Sequence, residues 1–155
     1  MLPWMRTETE VLLRYLNKMR NAVVNTSVGL TDAQLRTPGV PSGTSLLWLI
    51  HHLTEVERHW FQFVFLGAGP RIDYEGPVPE GRTYDEVVAE YRSVCAHNDE
   101  IVRAHGLDTT AKGTNPGEDV IVSLRVITAH MVEETGRHAG HADILRELID
   151  GRTGF

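Results

Sequence analysis

Cysteine is nearly missing from this sequence: Cys95 is the only one in 155 residues. An internal disulfide framework and a cysteine zinc ribbon are therefore both excluded. Lysine is almost as scarce, occurring only at Lys18 and Lys112, and the arginines are scattered among acids in a chain of net charge -6. Phosphate-reading surfaces need clustered Lys and Arg, so neither a nucleic-acid partner nor an anionic membrane is expected. No apolar run approaches the about 20 residues of a membrane-spanning helix. "MLPWMRTETE" places acidic and polar residues where a secretory signal carries its apolar stretch. Low-complexity tracts and internal repeats are also lacking, and the length suits one domain over residues 1–155. The expectation is a cytoplasmic protein whose partner is a small molecule.

What the sequence does have is helical periodicity, in four long segments, with no convincing alternation of the strand type. The first runs from about Thr7 to Val28, with Val11, Leu12, Tyr15, Leu16, Met19, Ala22 and Val23 recurring at spacings of three and four, and Gly29 as its stop. "TDAQ" (31–34) has the form of a capping box for a short turn. A second helix begins near Thr44 or Ser45 and reaches about Leu66. "TYDE" (83–86) caps a third, whose apolar side includes Cys95; with no histidine partner in view, Cys95 reads as a small buried hydrophobe. A fourth helix starts near Ser123 and ends before Gly151. Met5, Met19 and Met131 read as core or terminal filler. Four amphipathic helices with long polar connections predict an all-α four-helix bundle.

The fourth helix carries an anomaly, "HMVEETGRHAGH" (130–141). Turned at about 100° per residue, His130, Glu134, His138 and His141 fall within about 80° of one another, on the side marked by Ile127, Met131, Leu145, Leu148 and Ile149. An unpaired carboxylate in a helical core costs several kcal/mol, and a divalent metal is the partner that turns the cost into a gain. Residues at i and i+4 aim their ligand atoms at one point. The bland alternative is a metal-free His–Glu hydrogen-bond network. On the second helix His51 falls on the polar face and is expected to be solvated. His52 and His59 lie on one seam beside Trp48 and Phe63, and spacing alone does not choose between them. Three protein ligands would leave a position open for water or substrate, the mark of a catalytic site, and the set suits zinc, nickel or iron.

"SLLWLIHHLTEVERHWF" and "HMVEETGRHAGHADILRELIDG" resemble the two signature segments of the DinB-like superfamily, in the branch that holds the mycothiol- and bacillithiol-dependent transferases and many uncharacterised bacterial proteins. The resemblance implies a four-helix bundle, often dimeric, with a divalent metal, zinc or nickel first, held by one His of the second helix and two residues of the fourth. His52, the His before Leu in "HHL", matches the family position. His138 matches the second His of a His-x-x-x-His pattern. Glu134 stands where many members have His, as in the mycothiol-dependent maleylpyruvate isomerase type. The implied ligands are His52, Glu134 and His138, with His130 and His141 orienting them or contacting a cosubstrate. Arg137 lies beside this stripe by its helix angle, placed to pair with Glu134 or an anionic cosubstrate, or to reach to solvent as arginines at a stripe edge more often do.

The function so implied is a metal-dependent transferase that activates a low-molecular-weight thiol for attack on an electrophile. Two alternatives stand beside it: a metal-dependent hydrolase with metal-bound water, and a non-enzymatic metal- or small-molecule-binding stress protein. Asp73, Tyr74, Glu75 and the loop "DTTAKGTNPGED" are the substrate-contact candidates. Gly136 and Gly140, one turn apart in mid-helix, allow close approach of a neighbouring helix or of a second subunit, so a homodimer is expected.

Overall fold

The computed structural model describes residues 7–154; Met5 and most of the N-terminal segment discussed above lie outside them. Five α-helices follow in order: α1 (Glu8–Ser27), α2 (Asp32–Arg36), α3 (Leu46–Glu57), α4 (Tyr84–Ala104) and α5 (Leu124–Asp150). All the long ones start where a hydroxyl side chain accepts from the backbone N–H three residues on. Thr7 caps α1, Ser45 α3, Thr83 α4 and Ser123 α5, and Thr31 and Thr83 close full capping boxes with Gln34 and Glu86. At Gly29 and Gly151 the chain turns at φ 81° and 75°, the left-handed conformation that favours glycine after a helix.

The second predicted helix changes character part-way. From Arg58 to Phe65 it is a π-helix, with Leu66 N–H donating to the Phe61 carbonyl. Ordinary helical spacing spreads His59, Phe61, Val64 and Phe65 around the axis, whereas the wider turn buries all four. The carbonyls of Val64 and Phe65 take the N–H groups of Gly113 and Lys112, which ties the α4–α5 connection to this segment.

The four long helices are not arranged up-down-up-down. Glu8 pairs with Arg125, Met19 meets Gly136 and Thr26 bonds Asp143, so α1 and α5 run parallel. Leu46–Leu53 share a cluster with Val87, Tyr91 and Cys95, and Val56–Phe65 share one with Ile101 and Val102, so α3 and α4 are also parallel. Parallel neighbours need a connection that returns along the whole bundle. The Gly67–Thr83 loop does this, which is why it is long.

At mid-height the core is ionic. Arg20 (3% exposed) donates twice to the Glu57 carboxylate (0% exposed) at 2.7 and 2.8 Å and once to Asp99 at 2.6 Å. Asn17 and Asn98 fill the remaining positions around these acids. Cys95 lies next to this group, buried, and burial pushes its thiol well above the ordinary range, as suits a packing residue rather than a nucleophile.

Several apolar assignments differ from the periodicity. On α1, Leu16, Ala22 and Val23 are buried as the periodicity has them, but Val11 and Tyr15 are exposed, and Leu13 and Val24 are buried in addition. On α5, Leu148 is 64% exposed, and the buried face runs through Thr128, Met131, Thr135, Ala139, Ala142 and Leu145. Small residues form its centre because α1 lies close against it, and small residues carry little weight in a hydrophobic count. The polar stripe His130–His141 therefore sits on the flank of the buried face, where α5 turns toward α3. Among the described residues no helix is long and apolar enough to cross a membrane.

Candidate metal centre

On α3, His52 is buried (3% exposed) and its Nδ1 donates to the Tyr74 carbonyl at 2.7 Å. That bond fixes the tautomer and leaves the Nε2 lone pair facing α5. Trp48, one helical turn earlier, stacks on the imidazole at 4.7 Å, and its own Nε1 donates to the Gly76 carbonyl. Two backbone carbonyls of the return loop are thus pinned to α3 at the level of His52.

From α5, Glu134 brings Oε1 to 3.6 Å from His52 Nε2 and accepts from His138 Nε2 at 3.0 Å. The three ligand atoms lie within 4.8 Å of one another. They form the one such group of three among the described residues. Glu134 is ionised: the hydrogen bond from His138, then His52, hold its carboxyl well below the usual carboxylate range against the opposing effect of burial. Burial disfavours charge on His52, but Glu134 and the Tyr74 carbonyl outweigh it and raise the imidazole above its ordinary value.

These residues fit a divalent cation. His52 Nε2 is buried and has no hydrogen-bond partner, since 3.6 Å to the carboxylate is too long for one. A lone pair held beside an ionised carboxylate, with a second imidazole on that same carboxylate, is the donor set of a two-His, one-carboxylate site. One side of the group opens into a cleft of about 370 Å³ walled by Trp48, Trp60, Tyr74, Glu75 and His141.

The other predicted residues fall around this cleft. His141 is exposed and its Nδ1 lies 3.2 Å from Nδ1 of His138, so it orients that ring. His130 lies 4.8 Å from the Trp60 ring with its Nδ1 3.5 Å from Glu133. Arg137 lines the mouth, but its guanidinium pairs with Glu133 at 2.6 Å and not with Glu134. His59, the other seam histidine, points elsewhere, bonding Asn115 at 2.8 Å. His51 is half-buried rather than solvated, set among Glu55, Glu90, Arg58 and Arg82 of α3 and the α4 side, and burial lowers its pKa. Trp48 and Trp60 also line the cleft; the interval of four from Trp48 to His52 is the sequence signal that points to one of them. Gly136 faces Met19 of α1, so its close neighbour lies within the bundle, whereas Gly140 looks into open space.

The family model for mycothiol-S-transferases matches residues 11–151. The chain belongs to this family. Two solved structures share its fold. YfiT from Bacillus subtilis, described as a probable metal-dependent hydrolase with an unusual four-helix bundle topology, superposes with a TM-score of 0.72 at 15% identity, over 94% of this chain and 90% of YfiT. A conserved protein from Enterococcus faecalis matches with a TM-score of 0.62 and 15% identity, over 95% of this chain and 99% of that one. No curated protein sequence matches significantly. The mycothiol-S-transferase family assignment and the bundle agree with the resemblance carried by the α3 and α5 signature segments.

Proposed function

We propose that this chain is a metal-dependent thiol S-transferase of the cytoplasm, with His52, Glu134 and His138 as the metal ligands. The observation that carries the reading is the buried, unpartnered Nε2 of His52 facing an ionised Glu134. A divalent ion such as zinc or nickel, if bound there, would supply the Lewis acidity that favours the thiolate form of a low-molecular-weight thiol at neutral pH, where a free thiol titrates at about 8.5. The chain's own part is orientation and exclusion. The Tyr74 carbonyl keeps His52 in one tautomer, His141 orients His138, and Trp48 and Trp60 exclude water from the cleft walls. His130 and Arg137 stand at the rim within reach of an entering cosubstrate.

The test is metal content followed by turnover. Purified protein should hold about one divalent ion per chain, lost in His52→Ala and in Glu134→Ala. Mycothiol or bacillithiol with an electrophile should then turn over; consumption of an ester or amide without thiol would select the hydrolase reading instead. That second reading draws on YfiT, described as a probable metal-dependent hydrolase with the same bundle. Absence of metal in protein prepared with zinc and nickel supplied sinks both. We further propose a homodimer through the outward side of α5, where Gly140 is open and Ile144 and Leu148 are 59% and 64% exposed; light scattering that finds a monomer rejects it.

A further inference from the structure

A second cleft of about 370 Å³ shares Tyr74 and Glu75 with the His52 cleft and is completed by His59, Arg71, Asp73 and Asn115. His59 is its buried member, 1% exposed. Its protonation pattern follows from its neighbours. The Glu118 carboxylate accepts from Asn115 Nδ2 at 2.9 Å, so the amide oxygen of Asn115 is the atom turned to His59, and His59 Nε2 carries the hydrogen between them. Nδ1 is then an acceptor, and it is buried without a donor. Burial lowers the pKa of this imidazole, with Arg71 adding to the effect, so it stays a neutral acceptor. A buried acceptor left unmatched is costly, and a ligand N–H or O–H would recover that cost.

The charged groups around it are of both signs. Arg71 is exposed and has no ion pair among the described residues. Asp73 is partly occupied, since its Oδ1 accepts from Glu75 N–H at 3.3 Å in the turn it caps. Glu75 is exposed on the shared wall and makes no ion pair among the described residues. A simple anion entering the cleft would meet Glu75 and Asp73, and a simple amine would leave Arg71 unmatched.

We propose that this cleft binds the zwitterionic head of an amino-acid-like ligand, its carboxylate on Arg71 and its ammonium on Glu75 and His59 Nδ1. The site stands apart from the thiol reading, because its test needs neither metal nor turnover. His52 and His59 are seven residues apart, about 10 Å along a helix, so one ligand with such a head spans both clefts only if it is of dipeptide size.

The test uses the full-length chain carrying Glu134→Ala, which removes chelation at the metal centre and leaves the His52 bond to the return loop in place, titrated with L-alanine while amide and imidazole resonances are followed. The expected result is a saturable shift of the Tyr74 and Asn115 amides and of His59 Nδ1. N-acetyl-L-alanine and L-alanine methyl ester, each lacking one charge, should bind about tenfold or more weakly, as should L-alanine to the additional Arg71→Gln variant. Arg71 is an exposed loop residue, so that variant keeps the fold. No saturable shift, equal affinity for the three probes, or unchanged affinity in Arg71→Gln overturns the proposal.

Discussion

Arg20 holds two carboxylates inside the bundle, and the arrangement makes an asymmetric prediction. Arg20→Met leaves Glu57 charged, 0% exposed and without its guanidinium, and should destabilise by about 3–5 kcal/mol in denaturant unfolding. Adding Glu57→Leu should restore part of that loss, since an apolar pair of similar size avoids desolvation. A single Arg20→Met variant within 1 kcal/mol of the parent would show that the pair contributes little. Nothing in the periodicity of α1 marks Arg20, because an arginine on an apolar seam reads as a side chain reaching for solvent. The metal candidates were legible for the opposite reason. Glu134 and His138 stand at i and i+4 on the side of α5 that the apolar residues mark, where either a cation or a His–Glu hydrogen bond is needed to hold them. Choosing His52 over His59 was beyond spacing, because the choice is made by a loop carbonyl twenty-two residues away.

At the scale of the element, α3 is held to α4 and to the return loop by a small number of polar ties. Glu90 of α4 accepts from Arg58 at 2.6 Å and from Arg82. Burial opposes its ionisation, but the two guanidinium groups prevail and its pKa is lowered. A carboxyl whose folded-state pKa lies below its unfolded value, near about 4.3, adds stability that is present above that value and lost as pH falls through the folded one. Glu90→Gln should therefore leave less of a drop in stability between about pH 5 and the acid limit than the parent shows. A drop of the same size in melting curves across that range rejects the assignment. Trp48→Phe should keep the stack on His52 while losing the bond to Gly76, at about 1 kcal/mol, and should raise the exchange rate of return-loop amides. Helix caps were the part of each element the residues announced most directly, since a Thr or Ser side chain makes its bond within three residues. The π-helical turn at Arg58–Phe65 gave no comparable signal: its cause is long-range, the capture of the Val64 and Phe65 carbonyls by Gly113 and Lys112.

For the whole molecule, four helices were legible but their directions were not. Amphipathic periodicity says which face of a helix is buried and nothing about whether its neighbour runs up or down. The long loops were the available clue, since antiparallel neighbours need only short ones. The Gly67–Thr83 return loop is what the parallel α3–α4 pair demands, and it passes the metal candidates on its way, supplying the Tyr74 carbonyl and both cleft walls. Ligand contacts and chain routing are thus met by one segment. Replacing it with a shorter linker should abolish folding, read as loss of the cooperative melting transition.

The parallel run of α1 and α5 also decides how the chain can be rewired. In an antiparallel bundle the first and last helices bring their outer ends side by side, and a few residues join them. Here Thr7 and Gly151 mark opposite ends of the molecule, separated by roughly the length of α5, whose 27 residues extend about 40 Å. At no more than about 3.3–3.6 Å per residue, a linker must exceed about twelve residues before old termini can be fused and new ones opened between Pro77 and Gly81. With residues 1–6 and 152–155 removed, a circular permutant that joins Gly151 to Thr7 through six residues should fail to fold, and one that joins them through twenty should recover the bundle.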